Sequence, residues 1–262
     1  MVDFSSSSSF FSSSSVLNSA KLNSVFNLNG TASERVSVVT LSRAGGQYLE
    51  HAYLSALTGD QSFRRAVERI RDRLKAEGKS AEYGLYYTNA DTQLWSEGES
   101  RRFSLGTEGR DFYYALLRSY LQSGGKQVEA LQLYNEAVSS VLQNSEMITS
   151  PRKIGSLVRV QEALLNQGHT ALEYADLLGM SYSTCYLGAM FALGAATFKG
   201  GEDRCHPLAR RQRQLAVELT RTCHKAATGL PIRLPPDEWK MPNVLNEAID
   251  YKSGENKHYY LT

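Results

Sequence analysis

Three things are scarce in this 262-residue chain, and each scarcity closes off a class of protein. Net charge is the first: 29 Lys and Arg against 27 Asp and Glu leave a formal +2. A phosphate-binding surface shows itself as a clear basic excess, so no nucleic-acid partner is expected. Long apolar runs are the second. No stretch approaches the roughly 18 residues that a membrane-crossing helix needs, so no transmembrane segment is written into these residues. Cysteine is the third, with only Cys185, Cys205 and Cys223. No pair has the short C-x-x-C spacing of a zinc site. An odd count allows at most one disulfide with one thiol left over, and by itself it favours three reduced, buried thiols.

What is present describes a helical globular protein. Hydrophobic residues make up 42% and charged residues 21% of the chain, ordinary values for a soluble fold. The length suffices for one large domain with its own core. Residues 1–35 are a different material: serine runs at 5–9 and 12–15 bracket Phe10 and Phe11, and Ser and Asn continue to Asn29. With no basic n-region and no unbroken apolar h-region, this stretch is a poor signal peptide. Its low-complexity composition predicts disorder. Asn29-Gly30-Thr31 is a glycosylation sequon, which matters only in the secretory pathway.

From about residue 36 the spacing of apolar residues is helical. Tyr48, Leu49, Ala52, Leu54 and Leu57 mark one apolar face, and Thr58-Gly59-Asp60 ends it. Phe63, Val67, Ile70 and Leu74 follow at helical spacing and Gly78 closes them. After a loop over 79–110, a helix is expected through Phe112, Tyr113, Leu116, Leu117, Tyr120 and Leu121, ending at Gly124-Gly125. Another runs through Val128, Leu131, Leu133, Tyr134, Ala137 and Val141, followed by a polar segment to about 152. The apolar run 185–198 reads as a buried helix. Pro207 opens a last one through Leu215, Val217, Leu219 and Cys223, with Gly229 past its end. Strand signals are few, so the fold class is all-α, with helices paired by short turns. No fixed period recurs, which argues against a helical-repeat scaffold.

Four ordered stretches carry a resemblance. Leu49-Glu50-His51-Ala52-Tyr53-Leu54-Ser55-Ala56-Leu57-Thr58-Gly59-Asp60 resembles the LEF-x-x-LS-x-LTGD segment of class I α-1,2-mannosidases (glycoside hydrolase family 47), with Gly45 on the family's glycine upstream. The stretch from Phe103-Ser104-Leu105-Gly106 through Arg110-Asp111-Phe112-Tyr113-Tyr114-Ala115-Leu116-Leu117 is similar to VSLG-x-x-GDSFYEYLL. Cys185-Tyr186-Leu187-Gly188-Ala189-Met190-Phe191-Ala192-Leu193-Gly194-Ala195 is similar to CF-x-GGMFALGA in the wording of the Golgi branch. Finally, Arg221-Thr222-Cys223-His224 and then Glu255-Asn256-Lys257-His258-Tyr259-Tyr260-Leu261 resemble RTCH and NEKYY-x-L.

The resemblance implies part of an (α/α)7 barrel, with residues 36–262 as a domain truncated at both ends and covering about half of the family's catalytic domain. It places Glu50 on an acidic residue of the catalytic pocket. It implies an inverting hydrolysis of terminal α-1,2-linked mannose, with high-mannose N-glycans on glycoproteins as partners. The implied compartment is the endoplasmic reticulum or Golgi lumen. Ca²⁺ is the expected cofactor, but the threonine that contacts it in the family is not in this chain, and no residue here is assigned to the metal. Cys185 and Cys223 become the family's disulfide pair, against the reduced thiols that the count favours.

Three positions depart from the family's wording: Ala52 for an arginine, Tyr114 for a glutamate, and Ser181 where some branches carry a catalytic aspartate. Inversion needs two carboxyl groups, and Glu50 has no assigned partner, so little or no turnover is expected. The alternative is a non-catalytic, mannose-glycan-binding relative in glycoprotein quality control.

The remaining acidic candidates are Glu173, Asp176 and Glu108, the last read as a solvated loop residue. Phe112, Tyr113, Tyr114 and Tyr120 read as helix packing before a sugar-stacking wall. Arg210, Arg211 and Arg213 read as a solvated face. His206, His224 and His258 lack metal-ligand spacing. Trp95 falls near the family's loop tryptophan, with packing and substrate contact both open.

Overall fold

The computed structural model describes residues 39–89, 101–143, 147–149, 158–160, 163–165, 173–174, 179–198, 206–229 and 237–240, with paired backbone at 25–26, 32–34, 250–252 and 258–260. Helices dominate. A short α1 (Leu41–Gly45) is capped by Thr40, whose Oγ1 accepts from the Arg43 amide at 3.4 Å. Next come α2 (Tyr48–Thr58) and α3 (Ser62–Glu77); α2 ends on Gly59 at φ 76°, a left-handed cap suited to glycine. Helices α4 (Arg110–Gln122) and α5 (Val128–Gln143) form the next pair. A 3₁₀ turn (Tyr182–Cys185) then leads into α6 (Tyr186–Ala196), which packs on the long α7 (Pro207–Thr228).

The described strands are two or three residues long. In chain order they are β1 (Val25–Phe26), β2 (Ala32–Glu34), β3 (Arg101–Phe103), β4 (Ile148–Thr149), β5 (Arg159–Val160), β6 (Ala163–Leu165), β7 (Glu173–Tyr174), β8 (Gly179–Ser181), β9 (Glu238–Lys240), β10 (Asp250–Lys252) and β11 (His258–Tyr260). They pair as β1-β2, β3-β6-β7, β4-β5 and β11-β10-β9-β8, antiparallel throughout. The architecture is helix pairs tied at their ends by small ribbons. These ribbons correct the expected loop over 79–110, where Leu85 and Tyr86 are also buried and β3 forms.

The core runs through α4, α5, α6 and α7. Phe112, Tyr113 and Leu116 meet Tyr134, Val138, Met190, Phe191, Leu215 and Leu219. Each large apolar side chain fully withdrawn from water contributes about 1.5–3 kcal/mol. A smaller cluster of Tyr48, Ala52, Val67 and Ala115 joins α2 and α3 to α4.

Two expected faces differ. On α2, Leu54 is 38% and Leu57 66% exposed. Ser55 takes the inward place instead, because its Oγ accepts from the Arg64 amide at 2.8 Å where α3 begins. On α6, Leu187, Met190, Phe191, Gly194 and Ala195 are buried, but Tyr186 and Leu193 are exposed. The helix is apolar all round yet buried along one side only.

Candidate active site

Close approach of helices makes the site. A Cβ on Gly45 would run into the Phe112 ring, and one on Gly46 would come within 3.0 Å of Asp111 Cβ. Glycine at both positions lets the α1–α2 corner sit on the first turn of α4. Hydrogen bonds stitch the junction: the Ser42 amide donates to Glu108 O at 2.7 Å, the Asp111 amide to Ser42 Oγ at 3.2 Å, and the Leu41 amide to Thr88 O at 2.7 Å. Below it, the Arg71 guanidinium lies 3.5 Å from the Tyr48 ring centroid and donates to Ser119 Oγ at 2.8 Å and Gln127 Oε1 at 3.1 Å. That cation, whose pKa burial lowers, braces the helical turn that carries Glu50.

Between these elements opens a cleft of about 770 Å³, lined among others by Arg43, Glu50, Glu108, Asp111, Tyr114 and Arg118. Glu50 lies in the first turn of α2 and Asp111 in the first turn of α4, where the positive end of a helix favours negative charge. Arg110 holds Asp111 in place, with Nε and Nη2 each 2.7 Å from Oδ1, while its Nη1 donates to Ser183 O at 2.9 Å. Arg118 sits 5.3 Å from the Tyr114 ring centroid.

Thr107 also lines the cleft and leads outward to a group of hydroxyls. Its Oγ1 is 2.6 Å from Ser183 Oγ and 3.3 Å from Ser181 Oγ. Ser181 lies a further 2.6 Å from Ser183 Oγ and 3.1 Å from Thr184 Oγ1. The pairing of β8 with β9, with Met180 opposite the buried Trp239, carries Ser181 there, and the Tyr182 amide donates to Asp237 O at 2.8 Å. Behind these walls, burial pushes the Tyr86, Tyr113 and Tyr134 hydroxyls above the usual phenol range, so they remain neutral. Tyr113 Oη accepts from the Tyr86 amide at 3.1 Å, and Tyr134 Oη donates to Gln212 Oε1 at 2.7 Å.

The candidates from the sequence separate cleanly. Glu50 and Glu108 come to the same cleft. Glu108 is half-buried there, not a freely solvated loop residue. Phe112 and Tyr113 are core, while Tyr114 lines the cleft. Glu173 lies on β7, paired with Leu164; Asp176 and Trp95 lie outside the described residues. His206 caps α7, its Nδ1 accepting from the Leu208 amide at 3.2 Å, and its ring stacks on Phe198. Arg210 is exposed and Arg211 pairs with Glu218 at 3.7 Å. Cys185 and Cys223 are joined in a disulfide with Cα atoms 5.9 Å apart, which overturns the reduced-thiol expectation for these two. Cys205 lies outside the described residues. Asp111, quoted within the second family-like stretch but given no role there, is the acidic residue that the cleft adds.

Comparison with known proteins decides the family. The model of glycosyl hydrolase family 47 matches residues 4–261. The chain belongs to that family. The Drosophila melanogaster "Mannosyl-oligosaccharide alpha-1,2-mannosidase IA" is 32% identical over 225 residues, 84% of this chain and 30% of the relative. The human "Endoplasmic reticulum mannosyl-oligosaccharide 1,2-alpha-mannosidase" is 27% identical over 199 residues, 76% of this chain and 25% of the relative. In fold, the chain is similar to an alpha-1,2-mannosidase from Trichoderma reesei, with a TM-score of 0.60, 15% identity, and coverage of 79% of this chain and 39% of that one. The helix pairs of this family 47 chain are thus part of an (α/α)7 barrel. The chain spans about three-tenths of the length of the curated relatives it matches. Family 47 is generally calcium-dependent. Among the described residues no group of three or more His, Cys, Asp or Glu is arranged to hold a metal ion.

Proposed function

We propose that this protein hydrolyses terminal α-1,2-linked mannose of high-mannose N-glycans with inversion, and that the Glu50 cleft receives the sugar. The observation that carries the reading is the convergence of two carboxylates from different helices, Glu50 and Asp111, on one cleft in a family 47 chain. Inversion requires that one carboxyl group protonate the departing glycosidic oxygen while another takes a proton from the attacking water on the opposite face. Glu50, on the exposed lip of the cleft, is the proton donor in this proposal. Asp111, held in one position by Arg110, orients the water and receives its proton. The C1–O bond to the leaving sugar breaks, the water oxygen bonds to C1, and mannose departs as the β-anomer. Ser181, standing where some branches have aspartate, supports a slow rate.

The same proposal takes residues 36–262 as the hydrolase portion and residues 1–35 as a low-complexity segment. It locates the protein in the secretory pathway. The disulfide supports an oxidising compartment, and the human relative's name refers to the endoplasmic reticulum. Among the described residues no helix is long and apolar enough to cross a membrane.

The test is to incubate the protein with Ca²⁺ and an oligosaccharide ending in α-1,2-linked mannose, and to follow the product by proton NMR. The β-anomer forming first is the expected result. The α-anomer forming first rules out inversion. Bound glycan that is never cleaved establishes the non-catalytic alternative, for which Ala52, Tyr114 and Ser181 speak.

A further inference from the structure

Just outside the cleft, two tyrosines are held at the surface, each with a large ring open to solvent. Tyr182 is 43% and Tyr186 50% exposed, and their rings meet edge to face with centroids 5.8 Å apart. Neither belongs to a loose segment. The Tyr182 amide donates to Asp237 O at 2.8 Å, and the disulfide to Cys223 ties Cys185, which lies between the two tyrosines, to α7. Arg110 lies 5.0 Å from the Tyr186 ring centroid while also holding Asp111 in the cleft and Ser183 O in the turn. The connected hydroxyls of Thr107, Ser181, Ser183 and Thr184 run from the cleft lining to the foot of this pair.

We infer that Tyr182 and Tyr186 form a second sugar subsite, a stacking platform for the hexopyranose adjoining the one held at Glu50; this rests on the reading of that cleft as the sugar site. A pyranose has an apolar C–H face and a rim of hydroxyls. An aromatic ring with one polar tip matches the first, and hydroxyls that both donate and accept match the second. The ligand is a neutral oligosaccharide, because Asp111 already balances the Arg110 charge. The platform contributes binding energy to the leaving-group sugar rather than a further acid or base. It selects chains of two or more hexoses over a single one.

Calorimetric titration with methyl α-mannoside and with a thio-linked, non-hydrolysable α-1,2-mannotriose tests this. The unaltered protein is expected to bind the triose about tenfold more tightly than the monosaccharide, the size of one good aromatic contact. Tyr182→Ala/Tyr186→Ala should lose that gain and leave methyl mannoside binding unchanged, while Tyr182→Phe/Tyr186→Phe keeps the gain. The single variants Tyr182→Ala and Tyr186→Ala, at exposed positions, serve if the double variant does not fold. A triose gain that survives both alanine changes overturns the platform, and so does an unaltered protein that binds the two sugars equally, which leaves the cleft reading standing. An unaltered protein that binds neither sugar overturns the platform and the cleft reading together.

Discussion

The α1–α2 corner and the α6–α7 pair are built with the same device and put it to opposite ends. In both, glycine removes a Cβ so that backbone and aromatic ring can meet. A Cβ at Gly45 would run into Phe112; one at Gly194 would run into Tyr134 Oη and Gln212 Oε1, and one at Gly188 would lie 3.0 Å from Thr220 Oγ1. At α6–α7 the contact closes on a buried hydrogen bond between Tyr134 and Gln212 and is locked by a disulfide. At the corner it stops short, and carboxylates and guanidinium groups line the space left open. The difference shows why motif wording identifies the family more readily than the activity. Much of that wording encodes helix packing, and Glu50 is among the few quoted residues that face solvent in a cleft.

The comparison breaks first at its glycines. Gly194→Val should destabilise the protein by about 3 kcal/mol or more, as overpacking of a filled core does, read as a shift in the urea midpoint. Gly45→Val should match it, since the Phe112 ring is equally buried; a much milder effect at Gly45 would mean that the corner is loosely packed. Next in size is the disulfide. Cys223→Ser should cost about 2–4 kcal/mol, and a reducing agent should bring the unaltered protein to the same stability. A result indistinguishable from the unaltered protein would remove the lock from the account.

The smallest effect is set by pH. Tyr86, Tyr113 and Tyr134 have folded pKa values raised above the ordinary 10.0. Their stabilising contribution is therefore complete below about pH 10 and is lost as pH rises beyond it. Tyr113→Phe should flatten the alkaline fall measured by thermal melting, whereas changes confined to the cleft should not.

The helices were legible because their apolar residues recur at helical spacing and glycine marks several ends: Gly59 and Gly78 close α2 and α3, and Gly229 closes α7. The Cys185–Cys223 pairing followed from family resemblance, not from spacing. Leu54 and Leu57 were assigned to the wrong side of α2 because hydropathy alone ranks Ser55 as polar, while its hydrogen bond to the Arg64 amide makes it an inward residue. Strands of two or three residues are too short to show a period. In the site, Glu50 stood out by its neighbours. Asp111 did not, because its place in the cleft depends on α1 folding back onto α4, a contact between segments far apart in sequence. The hydroxyl group around Ser181 was hidden for the same reason, since it assembles only when β8 meets β9 beside Thr107.

The most direct test is to compare Glu50→Gln with the unaltered protein, measuring mannose release and thermal melting in the same samples. The account predicts a fall in rate of about 10²-fold or more, the loss expected for a proton-transferring carboxyl group. Melting should be unchanged, since Glu50 is exposed. Release at the unaltered rate would contradict the assignment of the chemistry to this cleft.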